Sequence, residues 1–279
     1  MKVFRPINNN IVSAFDNNGR EVVVIGKGIG YKAREGNMVP PEKIDKVFVM
    51  SNQNNIDQLV SLFTSLPIKY IEVTDEILTF AKQHLNKTLN ESAYFTLADH
   101  INFAVYRRKQ GMDFQNVLFT EIRRFYTKEF EVGLHALRLM KEKLGIDMPE
   151  DEAASIALHI LNAEYDVSIS EAFHATQLLK KIIAIVTKET GCVIDSSNFY
   201  CERFITHLKF LTQRIIRNES APETDDTLLN ILADQYPNKM LCCGVITAEV
   251  QKTHNYSLSK GEATALIVHL IRIDSQVTE

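Results

Sequence analysis

Residues 97–108 read LADHINFAVYRR and residues 203–214 read RFITHLKFLTQR, so one short pattern occurs twice in the chain. Aligned on the histidine, both stretches give His-(Ile/Leu)-x-Phe, with an arginine seven positions after the histidine. Apolar residues recur in both at helical spacing, which predicts an amphipathic helix in each. The larger part of the chain is therefore predicted to be an internal repeat built from helices.

A second pair of stretches belongs to the same repeat. Residues 152–164 read EAASIALHILNAE and residues 262–274 read EATALIVHLIRID, with Glu-Ala seven and six positions before each histidine. The copies are offset by 107 residues at the first histidine (100 to 207) and by 110 at the second (159 to 269). We predict two homologous all-α bundles, at residues 66–165 and 172–279, with a connector around 166–170.

The first 55 residues differ in character from the rest. They contain four short apolar, β-branched runs, KVFRPI, NIVSAFD, REVVVIG and KVFVM, which are typical of strands. Asp16-Asn17-Asn18-Gly19 between the second and third runs predicts a tight hairpin. We predict a small all-β domain at 1–55, a four-stranded antiparallel sheet, with the polar stretch 51–57 as a linker. So small a sheet buries little and exposes its edges, so we expect it to form a homodimer.

Composition separates the two regions further. The whole chain has 279 residues, 45% of them apolar, and a net charge of −4. Residues 1–55 carry eight Lys/Arg and five Asp/Glu, whereas the remainder carries 23 and 30, so the head is basic and the body acidic. A basic head suggests an anionic partner. The four cysteines form no CxxC pair, and no leader or long apolar run is present, so we expect a cytoplasmic protein without membrane insertion.

Two stretches of the head could bind nucleic acid. The run Asn8–Asn10 is either an ordinary turn or a set of amides that contact base edges and sugar hydroxyls. The run GKGIGY at residues 26–31 is either a flexible loop or a loop that approaches a nucleic-acid strand, with Lys27 on phosphate and Tyr31 as a stacking face. Arg5, Lys32 and Arg34 would add phosphate contacts.

The four histidines, His100, His159, His207 and His269, allow several chemistries. A helical metal site favours Glu-x-x-His, but here the glutamate stands seven residues before the histidine, so no metal is expected. No nucleophile elbow accompanies them, so a catalytic triad is not expected. They are either core histidines inherited by duplication or phosphate acceptors, whose added negative charge can strengthen or disrupt an interface.

The chain resembles the BglG/SacY family of transcriptional antiterminators over its whole length. INNNIVSAFD, EVVVIGKGIGYK and KVFVM resemble the co-antiterminator RNA-binding domain of that family. ADHINFA, EDEAASIALHILNAE, THLKF and IVHLIR stand where its two phosphotransferase-system regulation domains carry phosphorylatable histidines. The resemblance implies a homodimer that binds an RNA antiterminator hairpin in nascent mRNA and prevents terminator formation at a sugar-utilisation operon.

The resemblance also implies roles for single residues. The RNA contacts would be Arg5, Asn8, Asn10, Gly26, Lys27, Gly28 and Tyr31. Lys27 stands where arginine is common in the family and Tyr31 where phenylalanine is common. His100 and His159 would receive inhibitory phosphate from a sugar-specific enzyme II, and His207 and His269 would receive activating phosphate from HPr.

Two other classes of protein remain open from the sequence. A DNA-binding regulator with the same sensory bundles would need a helix-turn-helix or another DNA-reading element, and the strand-rich head shows none. A helical metalloenzyme is the other class. We expect neither enzymatic activity nor a cofactor.

Overall fold

The computed structural model divides the chain into two compact units. It describes residues 1–49, 53–112, 114–195, 198–219, 221 and 225–274. The first unit comprises Met1–Asn116 and Lys128–Asp166, and the second comprises Val117–Thr127 and the residues from Val167 onward.

The first unit begins with a four-stranded antiparallel sheet in the order β1-β2-β3-β4, which confirms the predicted all-β head. Val12 pairs with Val24, and Val23 pairs with Phe48. Pro6 lies on the edge strand, where its missing N–H breaks no interior ladder. The strands are β1 (Lys2–Asn8), β2 (Ile11–Phe15), β3 (Glu21–Ile25) and β4 (Lys46–Val49).

The predicted hairpin joins β2 to β3. Asp16 Oδ1 accepts hydrogen bonds from the backbone N–H groups of Asn18 and Arg20, at 2.8 and 2.9 Å. Gly19 has φ +76°, a conformation that glycine adopts without steric cost.

Both faces of the sheet are covered, because side chains alternate along each strand. Residues 27–44, which contain the short 3₁₀ turn Pro41–Lys43, contribute buried Ile29 and Val39 to one face. Helix α1 (Gln53–Ser65) covers the other face with Ile56, Leu59 and Phe63.

The linker predicted at 51–57 is therefore helical from Gln53 onward, while Ser51 and Asn52 lie outside the described residues. The prediction was wrong because it was based on the polar residues that begin α1. Further along this helix, apolar residues recur three and four positions apart and form a buried face.

Within the described residues, the remaining helices form two homologous sets of five. The first copy contains α2 (Ile68–Leu85), α3 (Ser92–Lys109), α4 (Phe119–Phe125), α5 (Thr127–Leu144) and α6 (Asp151–Tyr165). The second copy contains α7 (Ile169–Thr190), α8 (Phe199–Arg217), α9 (Thr227–Gln235), α10 (Pro237–His254) and α11 (Lys260–Asp274). The predicted homologous bundles are confirmed.

Local signals explain several helix ends. The Ser168 hydroxyl and the Glu171 carboxylate form a capping box at the start of α7. The Asn198 side chain caps α8 by accepting from the N–H groups of Tyr200 and Cys201. Asp166 ends α6 in the left-handed conformation, so the connector predicted around 166–170 is shortened to Asp166–Ser168 by the early start of α7.

Each bundle is closed by apolar side chains from its histidine-bearing helices. Leu97 and Ile101 of α3 pack with Ile156 and Ile160 of α6 in the first core. In the second bundle, the fully buried side chains include Phe204 and Leu208 of α8 and Leu266 and Leu270 of α11. This packing fixes the facing sides of the two histidine helices in each copy.

One segment crosses from its own copy into the other unit. Residues 117–127, which include α4, fall between α3 and α5 in the sequence, but they belong to the second compact unit. Glu121 pairs with Lys180 at 2.7 Å, and Lys209 lies over the ring of Tyr126 at 4.4 Å. Within the described residues, no helix has the length and apolarity needed to span a membrane.

Candidate functional site

The first histidine pair lies between α3 and α6. The ring centroids of His100 and His159 are 4.5 Å apart, with the rings tilted by 41°. His159 is buried, and His100 keeps 14% of its side chain exposed. Two histidines 59 positions apart in sequence are thus adjacent, as the helix packing requires.

A charged pair closes the first site. Arg107 donates from Nη2 to both carboxylate oxygens of Glu152, at 2.9 and 3.2 Å. The guanidinium also lies over the ring of Phe114, 4.3 Å from its centroid. Glu152 exposes only 2% of its side chain, so Arg107 compensates a carboxylate removed from water.

His100 also contacts this carboxylate. Its Nε2 lies 2.8 Å from Glu152 Oε1. The ring N–H is not aligned with this oxygen, so the contact is not a regular hydrogen bond. One glutamate therefore contacts an arginine and a histidine together.

The second copy repeats the arrangement with different partners for its glutamate. The rings of His207 and His269 stack with centroids 4.8 Å apart. Arg214 Nη1 lies 2.9 Å from Glu262 Oε1. The Tyr256 hydroxyl lies 3.0 Å from the same oxygen, and the Ser259 N–H donates to Glu262 Oε2 at 2.9 Å. His207 Nε2 is buried without a hydrogen-bond partner.

Burial lowers the pKa of three of these histidines and so favours their neutral form. It lowers the pKa of His159 well below the ordinary value, and nearby His100 lowers it further. Burial and then Arg214 lower the pKa of His207, against an opposing effect of Glu262. Burial, His207 and two arginines lower the pKa of His269 to about 4. A neutral imidazole keeps the lone pair that a nucleophile needs.

The second pair opens to solvent. A depression of about 400 Å³ exposes His207 and His269 and is lined by apolar and charged side chains, among them Phe199, Glu202, Arg203 and Phe210. Within the described part of the chain, no group of His, Cys, Asp or Glu is arranged to hold a metal ion.

A second candidate site lies at one end of the sheet, where a turn and a loop are bonded together. Asn8 Oδ1 accepts from the Asn10 N–H at 2.8 Å, and Asn10 Oδ1 accepts from the Gly28 N–H at 2.9 Å. The Gly26 N–H donates to the Asn10 carbonyl at 2.9 Å. The structure thus brings together the two stretches that the sequence singled out separately.

Glycine is required in this loop for two different reasons. A Cβ on Gly26 would lie 1.7 Å from the Lys43 carbonyl oxygen, and one on Gly30 would lie 1.9 Å from that of Asn8. Gly28 has open space around it but adopts φ +68°, a backbone conformation that residues with a side chain rarely adopt. Gly26 and Gly30 therefore permit close packing, and the role of Gly30 was missed because its neighbour is distant in sequence.

The remaining head residues differ in exposure. Tyr31 is 64% exposed, with Lys32 Nζ 5.4 Å from its ring centroid. The Lys27 N–H donates to Asp45 Oδ2 at 3.2 Å, which anchors the loop while the side chain remains exposed. Arg5 pairs with Asp57 of α1 at 3.0 Å.

The arginine and the glutamate of each pair are both visible in the sequence, but their pairing was not predicted from it. The arginine seven positions after one histidine and the glutamate seven positions before the other were visible as part of the repeat, and their opposite charges were the available signal. Tyr256 gave no such signal, because the first copy has Ile146 at the equivalent position.

Known protein families match both the sheet domain and the two helical copies. Residues 1–57 match the CAT RNA binding domain family, and residues 75–163 and 180–273 match the PRD domain family. The chain is 35% identical to the transcription antiterminator LicT of Bacillus subtilis (strain 168), over 99% of this chain and all of the relative. It is 34% identical to the beta-glucoside operon antiterminator of Dickeya chrysanthemi, over 100% and 99% of the two chains. The crystal structure of GlcT CAT-PRDI aligns with a TM-score of 0.51 and 31% identity, covering 58% of this chain and 97% of that one.

Proposed function

The chain belongs to the BglG/SacY family of transcription antiterminators, and from this premise we propose that it binds an RNA hairpin through its sheet domain under the control of phosphate on its histidine pairs. The observation that carries the proposal is the repeated site. Each copy brings two histidines within 5 Å of each other beside an arginine–glutamate pair. Histidines that only filled a core would not require an ion pair with a buried glutamate beside them in both copies.

The turn at Asn8–Asn10 supplies the RNA contacts that we propose. The side-chain oxygens of Asn8 and Asn10 are taken by backbone N–H groups within the loop. Each side chain therefore presents its amide nitrogen, a donor suited to base-edge acceptors and 2′-hydroxyl oxygens. Lys27 and the exposed Tyr31 add a phosphate contact and a stacking face.

The other proposed contacts are Arg5, Gly26 and Gly28. Arg5 and Asp57 keep 46% and 57% of their side chains exposed, so their ion pair contributes only about 0–1 kcal/mol. Arg5 can exchange this partner for an RNA phosphate at little cost. Gly26 and Gly28 act through the backbone, since the loop reaches the RNA only if it keeps this conformation.

Phosphate on the first pair is proposed to inhibit. A phosphoryl group adds a charge of about −1.5 to −2 at neutral pH. On either histidine it would add negative charge to the site that already holds the buried Glu152 carboxylate, and it would compete for Arg107. This repulsion disfavours the packed bundle, and we propose a sugar-specific enzyme II as the donor.

Phosphate on the second pair is proposed to activate. Glu262 is already held by Tyr256 and the Ser259 N–H, so Arg214, with 38% of its side chain exposed, can turn to a new anion. We propose HPr as the donor to His207 and His269, and a homodimer as the form that binds RNA. The differing surroundings of the two glutamates support opposite effects of one modification.

Gel-shift titration of the full chain on RNA hairpins selected from a random library tests the RNA proposal. Asn10→Ala removes one presented amide and the bond to Gly28, so we expect affinity to fall about tenfold, a loss of roughly 1.4 kcal/mol. Asn9→Ala is the matched control, because Asn9 contributes its backbone carbonyl to the loop, accepting from Gly30.

Equal affinity for the RNA hairpin and for DNA of the same sequence would contradict an RNA-specific interface. An Asn10→Ala variant that unfolds would show that this residue is structural instead.

A further inference from the structure

The glutamates of the two copies have different hydrogen-bond partners, because the two residues that precede them at the same positions differ. In the second copy, Tyr256 and the Ser259 N–H both donate to Glu262. In the first copy, the positions six and three before Glu152 are Ile146 and Pro149. Isoleucine has no hydroxyl and proline has no N–H, so neither can donate. Glu152 is left to contact His100.

This contact favours one of the two ring nitrogens of His100 as the site of its proton. Nε2 lies 2.8 Å from Glu152 Oε1. A lone pair on Nε2 would repel the carboxylate oxygen at that distance, so the contact favours the tautomer with the proton on Nε2, although the N–H is not aligned for a regular hydrogen bond. Nε2 is also enclosed by protein atoms. The lone pair that remains for chemistry in the neutral ring is on Nδ1.

We propose that Glu152 is a positioning residue that holds the Nε2–H tautomer of His100, so that phosphoryl transfer to this histidine takes place at Nδ1. The inference rests on the proposed function, since it deepens the assignment of His100 as a phosphate acceptor. It depends on the 2.8 Å contact between His100 Nε2 and Glu152 Oε1 in the first copy.

The transfer itself is a displacement at phosphorus. The Nδ1 lone pair attacks the phosphorus of a donor with a P–N bond, either a phosphohistidine protein or phosphoramidate. The new N–P bond forms as the donor P–N bond breaks, and the bonding electrons leave with the donor nitrogen, which takes a proton from water. The Nε2 proton stays on His100, where Glu152 balances the positive charge that develops on the ring.

The test uses the full chain labelled with ¹⁵N at histidine and treated with phosphoramidate. NMR correlation of phosphorus with ring nitrogen distinguishes the two isomers, and the His100→Ala variant identifies the signal of His100. A contact with a charged partner favours one form by about tenfold, so we expect about a tenfold excess of the Nδ1 isomer at His100. The same chain unfolded in urea should lose this selectivity.

Two variants separate positioning from general stability. Glu152→Gln removes the charge, and Pro149→Ser restores a backbone donor that should draw Glu152 away from His100. Both should lower the isomer ratio at His100. Glu262→Gln is the matched control, since it alters the same arginine–glutamate pair in the other copy and should leave the His100 ratio unchanged. Thermal melts identify any variant that fails to fold. The isomer ratio of the wild-type chain tests the inference even if both variants fail to fold.

Each result has one meaning. The Nε2 isomer at His100 in the folded wild-type chain would overturn the inference and leave the proposed function intact. Phosphate on none of the four histidines would overturn both. The Nδ1 isomer at unchanged ratio in Glu152→Gln and Pro149→Ser would remove Glu152 from the explanation.

Discussion

At the residue scale, both copies place an arginine–glutamate pair beside two histidines. In each copy the arginine stands seven positions after the first histidine and the glutamate seven positions before the second. The two residues meet because the helices that carry them face each other. The sequence could predict the histidines and the repeat, because both are patterns of letters. It could not predict the different partners of Glu152 and Glu262, because these depend on where each side chain lies in the packed bundle.

The arginines should differ in their effect on stability. Arg107→Met keeps the aliphatic stem but leaves Glu152 buried without its cation, and we expect a loss of about 3–5 kcal/mol in the free energy of unfolding. Arg214→Met should cost less, because Arg214 is more exposed and Glu262 keeps Tyr256 and the Ser259 N–H. Urea denaturation of both variants measures the difference. Equal losses would contradict the unequal burial of the two pairs.

The low pKa of His269 predicts a pH-dependent stability. Folding holds its pKa at about 4, below the ordinary value of 6.5, so the unfolded chain binds more protons between these two values. The contribution of His269 to the free energy of unfolding is therefore full above pH 6.5 and lost as the pH falls towards 4. Partial exposure to solvent reduces the expected change to about 2 kcal/mol.

Urea denaturation at several pH values between 7 and 4 checks this for the wild type and His269→Gln. The variant should lose less stability on acidification than the wild type does. Parallel curves for the two proteins would show that His269 does not titrate in this range on unfolding.

At the element scale, most helices and strands follow from apolar periodicity, and the exceptions have identifiable causes. Helix α1 was predicted as a linker, because its first residues are polar, although Ile56, Leu59 and Phe63 lie on one face. The placement of residues 117–127 with the second unit could not be predicted, since it depends on contacts such as Glu121 with Lys180. Local patterns specify an element, and tertiary contacts decide where a short element packs.

The copies should respond oppositely to alanine at two glycines in corresponding helices. A Cβ on Gly133 of α5 would lie 2.1 Å from the Ala153 carbonyl oxygen of α6. Gly133→Ala must push these helices apart, at a cost of about 1–3 kcal/mol. Gly244 of α10 has no atom within 4 Å of such a Cβ, so Gly244→Ala should stabilise by roughly 0.5–1 kcal/mol.

Thermal denaturation of the two variants beside the wild type measures both effects. Stabilisation by Gly133→Ala would show that α5 and α6 are not in close contact.

At the scale of the whole molecule, a basic sheet domain precedes two copies of one helical domain. Family resemblance and charge distribution were sufficient to predict this organisation. A modification shifts an equilibrium between states only by its different free energy in each, so phosphate can act oppositely in two copies only if their surroundings differ.

Terminator readthrough in cells, with sugar and HPr supply varied independently, tests the central claim most directly. The wild-type chain is compared with four single alanine variants, at His100, His159, His207 and His269. We expect His100→Ala and His159→Ala to give readthrough without the inducing sugar, and His207→Ala and His269→Ala to abolish the response to HPr. Readthrough identical to wild type in all four variants would contradict the account, since the histidines would then be core residues only.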